Sequence, residues 1–214
     1  MEAIIRACRN GQLPGVKPML IISSNPNAEG IEKAKNLGIF EKDILILSPK
    51  NFKTREEFGK TIIKECKNRG VEFIGQYGWH VLTPENVIKE FKEKIVNQHP
   101  GPLDTGKPDF GGAGMFGLRV HQARLEFIRR VNRDFWTEAT THYVTKEFDK
   151  GAIIKRKQIP ILPDDTAETL QARVLPIEYE VQIEALKDFS EGKMQKFHRK
   201  TPLVLPGEGV LLLM

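Results

Sequence analysis

Only two cysteines occur in the 214 residues, Cys8 and Cys66. They form no close pair and no metal-ligand spacing, which argues against a disulfide framework and fits a reduced, cytosolic setting. Long apolar runs are also lacking. None approaches the ~20 residues that a membrane-crossing helix needs, so no membrane partner is expected. The opening residues mix polar side chains into a short apolar stretch, which does not read as a signal peptide. No two of the five histidines stand at ligand spacing, so no metal is expected. Internal repeats are absent.

What is present is a soluble, globular composition, 40% apolar and 29% charged. The length suits one domain, expected over residues 1–195, with a C-terminal tail at 196–214. A chain of this size buries a sizeable core. The net charge of +5 favours anionic ligands such as phosphates or polyglutamate tails. Basic residues are interleaved with acids, as over 85–94, which reads as a solvated surface and not as a nucleic-acid face. Only 193–200 is locally basic.

Periodicity predicts strands alternating with helices. Residues 3–10 read as a helix stopped by Asn10-Gly11, and 19–22 as a buried strand. Residues 28–37 form a helix closed by Gly38, and 44–47 a second strand. Thr54 and Glu57 make a capping box for a helix running to about Asn68. A strand at 71–75, a helix from Thr83-Pro84-Glu85 to about Lys92 and a strand at 94–97 follow. Residues 100–117 hold six glycines and three prolines and read as a loop, followed by a helix to about Arg130. Residues 140–144 and 153–159 form a strand pair. The last helix spans 166–189, with Pro176 expected to break or kink it. Residues 201–214 are a candidate edge strand. The alternation indicates a mostly parallel α/β sheet with catalytic groups beyond its carboxyl ends.

Asn97 and His99 sit at such an end. Residues two apart on an extended segment point the same way, so Asn97 and His99 can face one site while Gln98 faces away. An amide donor beside an imidazole suits acyl transfer: one donates to a developing oxyanion, the other holds or delivers a proton. Asp149, in the turn between the later strands, would raise the His99 pKa if it reached it, although by itself the pattern favours an ordinary hairpin aspartate before a lysine and a glycine. His142 reads as a core histidine or a partner behind the site.

These residues in this order resemble the glycinamide ribonucleotide formyltransferases, a group of folate-dependent formyltransferases. The family's Asn-x-His-Pro motif is matched at Asn97-Gln98-His99-Pro100. Its later segment is matched from Thr141-His142-Tyr143 to Asp149-Lys150-Gly151. The resemblance implies a Rossmann-like, mostly parallel twisted sheet with helices on both faces. It also implies formyl transfer from 10-formyltetrahydrofolate to the primary amine of glycinamide ribonucleotide, in de novo purine biosynthesis. Asn97 would stabilise the oxyanion, His99 would donate a proton and Asp149 would keep His99 protonated. Folate would map to Arg55, Trp79, His80, Val81, Leu82, Thr145, Lys146, Glu147 and Phe148, and the acceptor ribose to Glu178. The family's opening strand and phosphate-cradling glycine loop would precede Met1, so the N-terminal strand is expected to be missing. Residues 100–117 are longer and richer in glycine than the family's loop, and Leu175 stands where a polar group is common. The same trio would serve a sugar N-formyltransferase or a formyltetrahydrofolate hydrolase. A non-catalytic folate-binding relative is a third reading. Glu178 favours the nucleotide enzyme.

Overall fold

A computed structural model describes residues 1–212, which fall into two compact units, one ending at Val96 and the other beginning at Asn97. In the first unit, α1 (Glu2–Arg9) buries Ile4, Ile5 and Ala7. Strands β1 (Ile21–Ser23) and β2 (Ile44–Ile46) pair in parallel, Ile21 opposite Ile44. A parallel pair needs a crossover, and α2 (Glu29–Asn36) lies between the two strands in sequence. Ile5, Ala34 and Leu37 pack together with Ile21 and Ile44 against them. This pair forms a two-stranded sheet of its own.

Helix α3 (Arg55–Asn68) starts where the sequence indicates. The Thr54 hydroxyl accepts from the Glu57 N–H at 3.1 Å. The Glu57 carboxylate reaches back to the Lys53 N–H at 3.1 Å, one residue short of a reciprocal capping box. Strand β3 (Ile74–Gln76) and α4 (Glu85–Glu90) follow. The Ile74 N–H donates to the Lys94 carbonyl at 2.8 Å, just ahead of β4 (Ile95–His99), in which the chain passes into the second unit.

The second unit holds α5 (Leu118–Val131), β5 (Trp136–Tyr143), β6 (Ile153–Pro160) and α6 (Ala167–Ser190), with strand order β4-β5-β6. β5 and β6 are antiparallel, with a register shift between Thr141 and His142. The core joins Phe110, Phe127, Ile128, Val174 and Val181. Thr166 and Thr169 cap α6 reciprocally, at 3.2 and 2.9 Å.

Two expectations change here. α6 continues through Pro176 without the break that was one of the two expected effects. Pro176 and Ala172, whose carbonyl loses its partner, both lie on the exposed face, where water can take the freed carbonyl. No strand forms in 201–212, which ends in a 3-10 turn (Gly209–Leu212). An isolated antiparallel bridge joins Phe197 to Ile153 instead. The stretch after 195 packs closely, with Leu203 and Val204 in the core. Arg199 and Arg156 together neutralise the fully buried carboxylate of Glu138, the Arg156 contact at 2.7 Å. The last two residues of the expected tail lie outside the described residues.

Candidate active site

Alternation along β4 places the site residues as the two-residue spacing implies. Asn97 and His99 both reach Asp149, whereas the Gln98 amide oxygen accepts from the Thr141 hydroxyl at 2.8 Å. Glu178, on α6, lies beside the Gln98 amide, and burial pushes its carboxyl up to about 7 against the pull of that amide.

Asp149 comes from the β5–β6 connection, with its backbone at φ +57° in the left-handed region. Aspartate tolerates this conformation better than most residues. Two residues later Gly151 is obligatory, because a Cβ there would stand 1.7 Å from the Tyr143 carbonyl oxygen. The turn is thereby folded tightly enough to bring the carboxylate back over β4. Asp149 Oδ2 accepts from the Gly112 N–H at 2.9 Å and lies 3.5 Å from His99 Nδ1. Its Oδ1 lies 3.3 Å from His142 Nε2 and 3.4 Å from Asn97 Nδ2.

Each imidazole spends one ring nitrogen on a carbonyl. His99 Nε2 bonds the Phe110 carbonyl at 2.8 Å, and His142 Nδ1 the Tyr143 carbonyl at 2.9 Å. A carbonyl only accepts, so those nitrogens carry the protons. The remaining nitrogen of each ring faces Asp149, and when it carries a second proton it donates to that carboxylate.

Burial opposes ionisation of Asp149, but the His142 hydrogen bond, the His99 charge and the Gly112 N–H together hold its carboxyl down at about 2. His99 is 2% exposed. Its burial outweighs the Asp149 charge, with His142 adding to the downward pull, so its pKa falls below the ordinary imidazole value. The carboxylate acts in the expected direction, and desolvation, invisible in the sequence, acts more strongly.

The other expected ligand-binding residues lie in two places. In the first unit, Arg55 opens α3 and donates to the Leu82 carbonyl, fixing the segment of Trp79, His80, Val81 and Leu82. Trp79 stacks on Phe58 with ring centroids 6.4 Å apart, and its buried indole N–H has no acceptor among the described residues. Val81 lines a cavity of about 400 Å³ with Ser24, Asn25, Ser48 and Lys50. In the second unit, Thr145, Lys146, Glu147 and Phe148 lead into Asp149, and the Thr145 hydroxyl donates to the Glu147 carbonyl at 3.1 Å. Sequence reasoning missed the Phe110 carbonyl and the Gly112 N–H. Their only signal was the density of glycine in 100–117. Among the described residues, no group of three His, Cys, Asp or Glu side chains could hold a metal ion.

The chain belongs to the formyl transferase family, whose model matches residues 1–186. Within that family, phosphoribosylglycinamide formyltransferase of Haemophilus influenzae is 31% identical over 196 residues, covering 91% of this chain and 84% of that protein. The chloroplastic phosphoribosylglycinamide formyltransferase of Arabidopsis thaliana is 27% identical over 202 residues; they are 94% of this chain but only 65% of the plant protein's length. The crystal structure of glycinamide ribonucleotide transformylase 1 from Symbiobacterium toebii superposes with a TM-score of 0.75 at 30% identity, covering 89% of this chain and 82% of that one.

Proposed function

We propose that this chain transfers a formyl group from 10-formyltetrahydrofolate to the primary amine of glycinamide ribonucleotide. The observation that carries the reading is the convergence of Asn97, His99 and His142 on the single carboxylate of Asp149. The folate supplies the formyl group. Recognition of the folate draws on Arg55 and on the Trp79-to-Leu82 segment that Arg55 holds through the Leu82 carbonyl. The acceptor amine attacks the formyl carbon, forming the new C–N bond. The Asn97 amide donates to the oxyanion that develops. The neutral imidazole of His99 takes up the proton that the attacking amine loses and returns it to the departing folate nitrogen as the old C–N bond breaks, so the protons balance. Asp149 stabilises the protonated imidazole. The scarcity of cysteine supports a reduced compartment, the cytoplasm.

The test is incubation with both substrates, following deformylation of the folate by absorbance and the acceptor by mass spectrometry. Formylated glycinamide ribonucleotide is the expected product, and His99→Ala should slow its formation by at least ~10²-fold. Equal rates in variant and parent would remove His99 from the mechanism. Formate release, or transfer only to an amino sugar, would overturn the assigned acceptor.

A further inference from the structure

The segment that covers His99 is the least self-ordering stretch of the second unit. Residues 100–117 carry six glycines, and Gly112 and Gly114 have φ of +114° and +84°. Such a loop keeps one shape only where something anchors it. The anchor is Asp109, whose side chain is fully enclosed. One of its oxygens accepts from Lys150 Nζ at 2.9 Å and from the Gly111 N–H at 3.1 Å. The other accepts from the Asp104 N–H at 3.0 Å.

Chain position makes this pair more than a loop brace. Asp109 immediately precedes Phe110, whose carbonyl holds His99 Nε2, and lies three residues before Gly112, whose N–H holds Asp149. Lys150 immediately follows Asp149. The ion pair therefore joins the loop to the β5–β6 connection at the residues that grip the imidazole and the carboxylate. We propose that Asp109 and Lys150 are positioning residues, whose ion pair sets the His99–Asp149 geometry on which formyl transfer depends. This rests on the function assigned above to His99 and Asp149.

Each residue acts through a neighbour, so loss of either end loosens the same contact. Displacement of a reacting group by about 1 Å is enough to cost one to two orders of magnitude in rate. The same ion pair is removed from either side, so the two losses should not add.

The test uses the full chain with Asp109→Asn, Lys150→Met, the double variant and Lys150→Arg. Asp109→Asn keeps the shape but loses the charge and turns one of the two accepting oxygens into an amide NH2 that faces a donor. Lys150 is about one-third exposed, so Lys150→Met spares the core and keeps the fold testable. We expect kcat to fall by about 10-fold or more in each single variant, with KM for the folate changed by less than about threefold. The double variant should be no slower than the slower single one, and Lys150→Arg should retain parental kcat.

A purely structural brace would lower the unfolding midpoint and leave the imidazole untouched. The second readout is therefore the ¹⁵N-edited spectrum of His99, where the Nε2 proton bonded to the Phe110 carbonyl should be sharp in the parent and in Lys150→Arg. It should be broadened or lost in Lys150→Met and Asp109→Asn. An unchanged His99 signal in both single variants, or additive losses of kcat, overturns the proposal. Should the parent transfer no formyl group, the assigned function fails, and the His99 spectrum still decides the role of the ion pair.

Discussion

Asp149→Asn removes the one charge on which four groups converge, and the effect has a computable pH signature. The carboxyl is held at about 2, against an ordinary value of 3.8. At roughly 1.4 kcal/mol per tenfold change in affinity for the proton, that is about 2 kcal/mol of folded-state preference for the ionised form. A carboxyl whose folded pKa is depressed stabilises the fold above its unfolded pKa. The contribution is lost as pH falls through the folded value. The parent should therefore lose about 2 kcal/mol that an asparagine variant, which cannot titrate, does not lose, over the interval from about pH 4 down to about pH 2. The measurement is urea unfolding of both proteins at closely spaced pH values. Only the difference between them is read, so that the other carboxylates cancel. Whatever its size at neutral pH, that difference should shift by about 2 kcal/mol across the interval. A difference independent of pH there would show that Asp149 is no better held in the folded chain than in the unfolded one, and the charge convergence described above would be refuted.

Two further outcomes follow from single positions. Gly151→Ala places a methyl group 1.7 Å from the Tyr143 carbonyl, a backbone atom that cannot swing aside. We expect formyl transfer to be lost and thermal stability to fall, with wild-type behaviour the disproof. Pro176→Ala restores a helix hydrogen bond on the exposed face of α6. It should raise unfolding free energy by about 1–3 kcal/mol with activity unchanged, and destabilisation in a denaturant series would contradict the account of the unbroken helix.

The sequence made the alternation of elements legible wherever a capping residue flanked an apolar run, as at Thr54. Asn97 and His99 could be paired because a strand has a period of two, and the hairpin around Asp149 carried its own glycine. Other parts had no letters to read. The groups that hold His99 and Asp149 from above are a carbonyl and an N–H, which every residue possesses. Burial of His99 depends on how 100–117 folds over it, so the sequence showed the carboxylate that raises its pKa and not the desolvation that lowers it. Arg199 looked like one more residue in a basic tail, because its partner Glu138 lies 61 positions earlier and is fully buried. Pro176 misled for a related reason: helix propensity records the lost hydrogen bond but not whether water can replace it.

The β5–β6 hairpin also orders events in time. Its strands are joined by a short connection, and neighbouring segments find each other within microseconds. Asn97 and Asp149 are separated by 52 positions, and contacts between distant positions are slow to close. Asp149 is thus set in its turn before β4 brings Asn97 and His99 to it, and before the glycine-rich segment is laid across them. For a refolding chain we expect native hairpin pairing to be regained before the site is complete. Recovery of activity should then lag the recovery of secondary structure in stopped-flow refolding, and coincident recovery of the two would refute that order.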